Sequence, residues 1–386
     1  MSEFGAELAR LRQLEGIKWS RDGAHVLPVW VADMDFDPSP ATLAAIAELA
    51  ALGDFGYNSV AGENARQAWV RWAKANHGIH YPVEETVAFC EVLQAIEVVL
   101  WLHLNEGDGV VLFTPIYPPF ITAATGLNRR MVSCPLDHDG WRINRETLES
   151  VIDDTTRAIL LCNPHNPTGR MFDEDELRII LEVAEAHDLL IISDEIWSDL
   201  THPGKTHIPM LSLGARAAER TVTVSAASKS FSLAGLRFSV AHIGPEALRA
   251  QLAVLPKHLL GGVNTIGAKA AERNWVEGGP WLDDVKAFLT SQRDYLAERL
   301  QRELPLVDFQ LPEATYLAWL GFDAYNLGDD PSELFFEQEK LAVSPGPDFG
   351  ELGHGWCRIN LATSREILSD VLDRIQRVCD GASETS

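Results

Sequence analysis

Lys229 is the residue whose type and position most clearly allow covalent chemistry. It follows an apolar run at residues 221–224 and stands among small residues that include Ser225 and Ser228. A β-branched run that breaks into small residues predicts a strand ending in a tight loop, and open α/β folds bind ligands at such strand ends. A lysine whose pKa is lowered there can form a Schiff base with a carbonyl compound. A surface or salt-bridged lysine is the commoner alternative, so the other strand ends must decide between the two.

Two further strand-like runs also end in polar side chains. Residues 158–162 lead into a loop with two Asn-Pro steps, whose prolines stiffen the chain and can hold the Asn166 amide toward a ligand. A purely structural turn is an equal alternative for this loop. Residues 189–193 are apolar enough to be buried and lead to Asp194, whose carboxylate then needs a cationic or hydrogen-bonding partner. No histidine pair at metal-ligand spacing lies nearby, whereas a protonated heterocyclic nitrogen would suit Asp194 well.

The start of a predicted helix offers a site for a phosphate group. The run at residues 86–90 is followed by Val92 and Leu93, where the helix begins. The first backbone N–H groups of a helix have no partner within the helix and can bind anions. Every βα unit has such a helix start, so this signal is weak by itself.

The elements that must position these residues alternate between short apolar runs and amphipathic helical stretches. This alternation favours an α/β fold with a largely parallel sheet covered by helices. The strand candidates of the main sheet are residues 86–90, 109–114, 158–162, 189–193 and 221–224, with a helix predicted at 173–187. Near the end, the pattern predicts strands of another sheet at 315–320 and 355–362, then a helix at 364–378 and a disordered tail at 381–386.

Composition and charge narrow the class of protein. The 386 residues are 46% hydrophobic and 23% charged, which is typical of a globular chain long enough for two domains. The formal net charge of −24, with no basic block, argues against a nucleic-acid or anionic-membrane partner. No apolar stretch approaches the ~20 residues of a membrane-spanning helix, and the five scattered cysteines form no Cys-x-x-Cys pair. We therefore expect a soluble, cytoplasmic protein with reduced thiols.

Two rival catalytic motifs are excluded. A Ser-x-x-Lys acylase motif requires serine three residues before Lys229, where the chain has Ala226. A Gly-x-Gly-x-x-Gly sequence after an early strand is absent, which disfavours a dinucleotide-binding fold. Together, a lysine, a buried aspartate, a rigid asparagine and a helix start at strand ends match what pyridoxal phosphate requires.

The ordered motifs resemble those of the fold-type I, class I/II aminotransferase-like enzymes, and most closely their cystathionine β-lyase (C–S lyase) subgroup. The resemblance runs over nearly the whole chain, through residues 27–36, 55–57, 115–120, 162–169, 193–196, 313–317, 348–350 and 358–360. The subgroup is indicated by Trp-Val-Ala-Asp-Met-Asp-Phe at 30–36 and Glu-Ala-Thr-Tyr-Leu at 313–317. The implied fold has a large cofactor domain at 48–281 with a mostly parallel, seven-stranded sheet. A smaller α/β domain would combine residues 1–47 and 282–386.

The resemblance also implies roles for individual residues around pyridoxal phosphate. Lys229 would carry the cofactor and act as the base at Cα. Asp194 would pair with the pyridinium nitrogen, Asn166 would bond the ring oxygen, and Tyr117 would stack on the ring. The remaining cofactor contacts would come from Trp197, Ser228, Arg237 and the backbone N–H groups near Val92 and Leu93.

Two residues would act mainly on the substrate. Arg358 would clamp its carboxylate with a bidentate pair, which lysine forms poorly, and Asn166 would contact the substrate as well as the cofactor. Tyr57, a further catalytic residue, would reach the phosphate or the leaving group of the neighbouring subunit. This arrangement implies a homodimer with the active site at the interface.

The chain departs from the family pattern at two positions. Trp197 stands three residues after Asp194, where aminotransferases usually carry tyrosine and the lyase subgroup histidine. An indole N–H can donate but not accept, so support of the ring oxygen would differ. Ala226 replaces a hydroxyl residue, so either Ser225 substitutes for it or phosphate binding depends more on Arg237 and the backbone.

The implied reaction is β-elimination of L-cystathionine or another cysteine S-conjugate to a thiol, pyruvate and ammonia. Transamination to a 2-oxo acid is the first alternative, since it shares the removal of the Cα proton. A specialised enzyme for S-conjugated cysteine in secondary metabolism is the second, because Trp197 leaves room for an unusual substrate. A different class of function also stays open, namely a regulator or binding protein built on this fold. A DNA-binding role is not expected, because the sequence shows no added DNA-binding segment.

Overall fold

The computed structural model describes residues 4, 6–58, 60–256 and 258–383. Its strands are β1 Leu27–Pro28, β2 Thr86–Phe89, β3 Gly109–Thr114, β4 Arg130–Pro135, β5 Thr156–Cys162, β6 Leu190–Asp194, β7 Thr221–Ser225, β8 Ser239–Ile243, β9 Asp308–Phe309, β10 Leu317–Gly321, β11 Leu341–Ala342, β12 Ser344–Pro345 and β13 Trp356–Asn360. Seven of the described strands form one sheet in the order β2-β8-β7-β6-β5-β3-β4. In this sheet β8 runs in the direction opposite to that of the other six strands. The predicted α/β fold with a mostly parallel sheet is therefore confirmed.

The described helices cover both faces of this sheet. They are α1 Leu8–Leu11, α2 Ile17–Ser20, α3 Pro40–Leu52, α4 Ala61–His77, α5 Val92–His103, α6 Pro118–Thr125, α7 Arg145–Val151, α8 Glu174–Ala186, α9 Ala215–Arg220, α10 Ala227–Ser230, α11 Glu246–Ala253, α12 Thr265–Glu277, α13 Gly279–Glu303, α14 Pro331–Glu339 and α15 Arg365–Ser383. Within β3, Val110 and Leu112 join one hydrophobic cluster, while Val111 and Phe113 join another. Burial on both faces explains why the central strands are continuous apolar runs.

Most predicted elements are present, with ends that differ by one or two residues. The helix predicted at 173–187 is α8, which begins after Asp173 with a complete capping box to Glu176. The strand predicted at 315–320 begins only at Leu317, because Thr315 has a left-handed φ of 73°. The tail prediction is wrong for 381–383, since α15 continues to Ser383, and residues 384–386 lie outside the described part of the chain.

The C-terminal part adds a four-stranded antiparallel sheet in the order β12-β13-β10-β9. Arg358 in β13 lies opposite Ser344 of β12 on one side and Trp319 of β10 on the other. Asn360 donates its side-chain amide to the carbonyl oxygens of Val31 and Asp33 at 2.8 and 2.7 Å. These bonds tie the N-terminal segment to the C-terminal sheet. The domain limits at residues 48 and 281 stay a prediction.

None of the helices within the described residues combines the length and the apolar character needed to cross a bilayer.

Candidate active site

The carboxyl ends of the central strands bring the predicted cofactor residues together. Asp194 closes β6, Asn166 follows β5, and Lys229 lies in α10 directly after β7. These side chains line a cavity of about 450 Å³. All nine residues predicted to contact the cofactor line it, namely Lys229, Asp194, Asn166, Tyr117, Val92, Leu93, Ser228, Arg237 and Trp197. Residues that range from Val92 to Arg237 in the sequence therefore converge, because parallel strands end at one edge of the sheet.

The Lys229 amine is buried, and its surroundings lower its pKa. Its Nζ donates a hydrogen bond to the carbonyl oxygen of Ala32 at 2.8 Å. Burial lowers the pKa of Lys229 to about 8, with smaller effects from Asp33 (raising), Arg358 (lowering) and Asp194 (raising). The neutral amine that a nucleophile or base requires is therefore more abundant near neutral pH than for an ordinary lysine.

Asp194 is a buried carboxylate that lines the cavity. Its Oδ1 accepts a hydrogen bond from the backbone N–H of Ile196 at 3.0 Å. Burial raises the pKa of Asp194 to about 7, which the Ile196 bond and Lys229 oppose and Glu195 reinforces. Among the described residues, no cationic side chain bonds this carboxylate. A protonated ring nitrogen in the cavity would supply the missing partner.

The N-terminal end of helix α5, which lines the cavity, can hold a phosphate group. Helix α5 begins at Val92, and the side chain of its N-cap residue Glu91 makes no capping bond. Arg237 also reaches this end, where it forms an ion pair with Glu91. Ser225 lines a separate, small cavity, whereas Ala226 lines the large one. Of the two alternatives for the phosphate, the geometry therefore favours Arg237 and the backbone over Ser225.

Arg358 lines an outer cleft and bonds to Asn166, which lines the inner cavity. Its Nη1 donates to Asn166 Oδ1 at 2.9 Å, and its Nη2 donates to the Trp30 carbonyl at 2.8 Å and to Ser344 Oγ at 3.0 Å. Burial lowers the pKa of Arg358 to about 10, so it remains a cation at neutral pH. The outer cleft has a volume of about 710 Å³ and shares Lys229 with the inner cavity.

Tyr57 is the predicted site residue that the single chain does not bring to this site. Its side chain is fully exposed and lines neither cavity. The neighbouring Leu52 and Phe55 are exposed as well. Its predicted role on a second subunit stays a prediction.

Three contributors to the site were not among the predicted residues. Ala32 supplies the carbonyl oxygen that also accepts from Tyr316 Oη at 3.1 Å, and Tyr316 packs edge-on against Trp197 with ring centroids 4.8 Å apart. Ser344 supports Arg358. Ala32 and Tyr316 lie in the two motifs that carry the family resemblance, which was a usable signal, but nothing in the sequence around Ser344 indicates its contact.

Comparison with known proteins defines the class to which this fold and site belong. Residues 25–375 match the family described as Aminotransferase class I and II, so the chain belongs to that family. The chain is 34% identical over 372 residues to cystathionine beta-lyase PatB of Bacillus subtilis, covering 94% of this chain and 96% of that protein. It is 31% identical to cystathionine beta-lyase of Corynebacterium glutamicum, covering 96% and 99%. The PLP-bound C-S lyase of Staphylococcus hominis superimposes with a TM-score of 0.91 at 28% identity, covering 97% and 98%.

Proposed function

We propose that the chain is a pyridoxal phosphate-dependent carbon–sulfur β-lyase that cleaves L-cystathionine or another cysteine S-conjugate. The observation that carries this proposal is the position of the buried Lys229 amine, which lines both the cofactor-sized cavity and the outer cleft. Its lowered pKa suits a group that must give up and take up protons. The similarity to cystathionine β-lyases over nearly the whole chain supports the same reaction.

The residues of the inner cavity fit pyridoxal phosphate. The buried Asp194 carboxylate lacks a cationic partner among the described residues and would keep the pyridinium nitrogen protonated. Asn166 would bond the ring oxygen and Tyr117 would stack on the ring. The phosphate would be held by Ser228, Arg237 and the N–H groups of Val92 and Leu93, and Trp197 would contact the ring. When bound, the cofactor withdraws electrons from Cα of the amino acid.

The substrate would span the two cavities. Arg358 would bind its carboxylate, and the neutral Lys229 amine would take the proton from Cα. The C–S bond then breaks with its electron pair remaining on sulfur, and the thiolate takes up a proton. The remaining 2-aminoacrylate reacts with water to give pyruvate and ammonia. Tyr57 of the partner subunit would lie near the phosphate or the leaving group.

The assembly and location belong to the same proposal. We infer a homodimer, because the exposed Tyr57 can serve an active site only on another subunit. A cytoplasmic location is supported by the five cysteines, four of which are buried. The volume of the outer cleft, about 710 Å³, also favours the specialised alternative, a conjugate with a bulky thiol.

A product assay tests the reaction directly. Purified holoenzyme would be given cystathionine with and without a 2-oxo acid, and pyruvate, ammonia and free thiol would be quantified. Equal amounts of pyruvate and thiol without the 2-oxo acid are expected. Turnover that requires the 2-oxo acid and leaves sulfur attached would instead establish an aminotransferase. Lys229→Ala serves as the control and is expected to lose turnover.

A further inference from the structure

Asp199 is a buried carboxylate that the proposed reaction does not use. It follows Asp194 by five residues, and its side chain is 9% exposed. Its Oδ1 accepts from Trp72 Nε1 at 2.8 Å and from His77 Nε2 at 2.9 Å, both from α4. Its Oδ2 accepts from Ser230 Oγ at 2.9 Å. Three donors from two separate helices therefore meet at one carboxylate.

Ser230 connects this carboxylate to the reactive amine. It is the last residue of α10, it is fully buried, and it directly follows Lys229. The four-residue helix α10 has no side-chain cap at its N-cap residue Ala226. So short a helix holds its position mainly through contacts with its surroundings. The bond to Asp199 is such a contact, next to the residue whose placement matters most.

The segment that carries Asp199 also carries Asp194. Between them, the backbone N–H of Ser198 donates to the Glu195 carbonyl at 3.0 Å, and that of Leu200 donates to the Trp197 carbonyl at 2.9 Å. This turn makes the end of β6 a compact unit. Fixing α10 to it therefore fixes Lys229 relative to Asp194.

We propose that Asp199 is a positioning residue, which holds Ser230 and thereby sets the position of the Lys229 amine relative to Asp194. The inference rests on the proposed function only in that Lys229 carries the cofactor. Burial acts to raise the pKa of Asp199, but the bond and charge of His77, with the bonds from Trp72 and Ser230, hold it below its ordinary value. An anionic acceptor makes the Ser230 bond a strong one.

Substitution of Ser230 tests the proposal in the holoenzyme. Ser230→Ala removes the bond, Ser230→Thr keeps a hydroxyl, and Ser198→Ala is the matched control in the same segment, with no bond to Asp199. The readouts are the pH midpoint of the absorbance change of the bound cofactor, kcat and KM separately, and the melting temperature. We expect Ser230→Ala to shift the midpoint and to lower kcat roughly tenfold, the effect of about 1.4 kcal/mol, with KM nearly unchanged.

The outcomes separate positioning from general stability. Restoration of the midpoint and kcat by Ser230→Thr, with wild-type behaviour of Ser198→Ala, would support the proposal. A Ser230→Ala protein with the wild-type midpoint and kcat would overturn it, as would an equal shift in Ser198→Ala. If Ser230→Ala does not fold, Ser230→Cys, whose thiol is a weaker donor of similar size, gives the same test. The spectral midpoint does not depend on which amino acid reacts, so failure of the lyase assay leaves this test intact.

Discussion

The burial of Asp194 and Lys229 in the ligand-binding site lowers the stability of the protein without ligand. Burial moves the pKa of the aspartate up to about 7 and that of the lysine down to about 8. In both cases burial disfavours the charged form that the side chain has in water. A bound cation beside Asp194 would remove the larger part of that penalty on the carboxylate.

The first prediction concerns Asp194→Asn in the protein freed of cofactor. The folded-state pKa of about 7 lies above the ~3.9 of an unfolded chain, so between these values the folded protein holds a proton that the unfolded chain has lost. Stability therefore falls as pH rises from about 4 to about 7 and stays low above that. The neutral asparagine avoids this loss, and we expect a gain of up to about 4 kcal/mol at pH 8.

Denaturant unfolding at about pH 5.5 and pH 8 measures this gain, which should be larger at the higher pH. The same substitution should weaken cofactor binding, as measured by cofactor release on dialysis. An Asp194→Asn protein that is less stable than wild type at pH 8 would contradict the assignment of a destabilising buried carboxylate.

The second prediction concerns the support of Arg358 by Ser344. Ser344→Ala removes one hydrogen bond to the guanidinium, and bonds to charged groups contribute about 1.5–3 kcal/mol. We expect KM for the amino acid to rise roughly tenfold, with kcat and cofactor affinity nearly unchanged. Steady-state kinetics check this, and Arg358→Lys should have a larger effect in the same direction. A change in kcat alone would argue against a carboxylate-binding role.

At the scale of elements, the loop after β5 is fixed by contact with the segment before β10. The backbone N–H groups of Glu313 and Ala314 both donate to the Gly169 carbonyl at 2.9 Å. Gly169 has a φ of 68°, and a Cβ there would lie 2.5 Å from Pro312 Cβ. Glycine at this position thus lets the loop that carries Asn166 approach the C-terminal part closely.

The third prediction compares Gly169→Ala with Gly78→Ala. Both glycines have a φ of 68°, but a Cβ at Gly78 would meet nothing within 4 Å. Strain from the backbone conformation, about 1 kcal/mol or more, is thus common to both variants, whereas the clash is confined to Gly169. We expect a larger fall in melting temperature for Gly169→Ala than for Gly78→Ala. Cofactor binding should become weaker in Gly169→Ala only. Equal effects of the two substitutions would show that the contact with Pro312 is unimportant.

The elements and side chains that the sequence predicts best are those with local signals. The run at Gly109–Thr114 is continuous and apolar, and it matches β3 residue for residue. Strand β8 was not predicted, because Ser239 and His242 interrupt its apolar pattern. His242 is tolerated there through a bond to Glu85 at 3.0 Å, a partner 157 positions away. Contacts of this kind, like that of Ser344 with Arg358, depend on strand pairing that no local pattern reveals.

At the scale of the whole molecule, the single chain leaves Tyr57 in solvent with Leu52 and Phe55. An exposed apolar group of this kind is typical of an interaction surface. In a symmetric dimer, each subunit would offer its Tyr57 to the other.

The fourth prediction follows from that arrangement. Tyr57→Phe and Lys229→Ala should each lower activity, and a mixed dimer of the two should contain one intact site. Random pairing of equal amounts would restore about a quarter of wild-type activity. Activity assays before and after subunit exchange measure this, with sedimentation to establish the dimer. No recovery in a mixture shown to contain mixed dimers would place Tyr57 in its own subunit's site.

The division of the site into two cavities has a consequence for how new enzymes of this kind could arise. Among the residues that helix α14 contributes to the outer cleft are Glu333, Phe336 and Glu337, and none of its residues lines the inner cavity. Mutations on this helix can therefore alter which thiol is accepted while the cofactor chemistry is left intact. A library confined to these three positions would explore new substrates without first having to rebuild the catalyst.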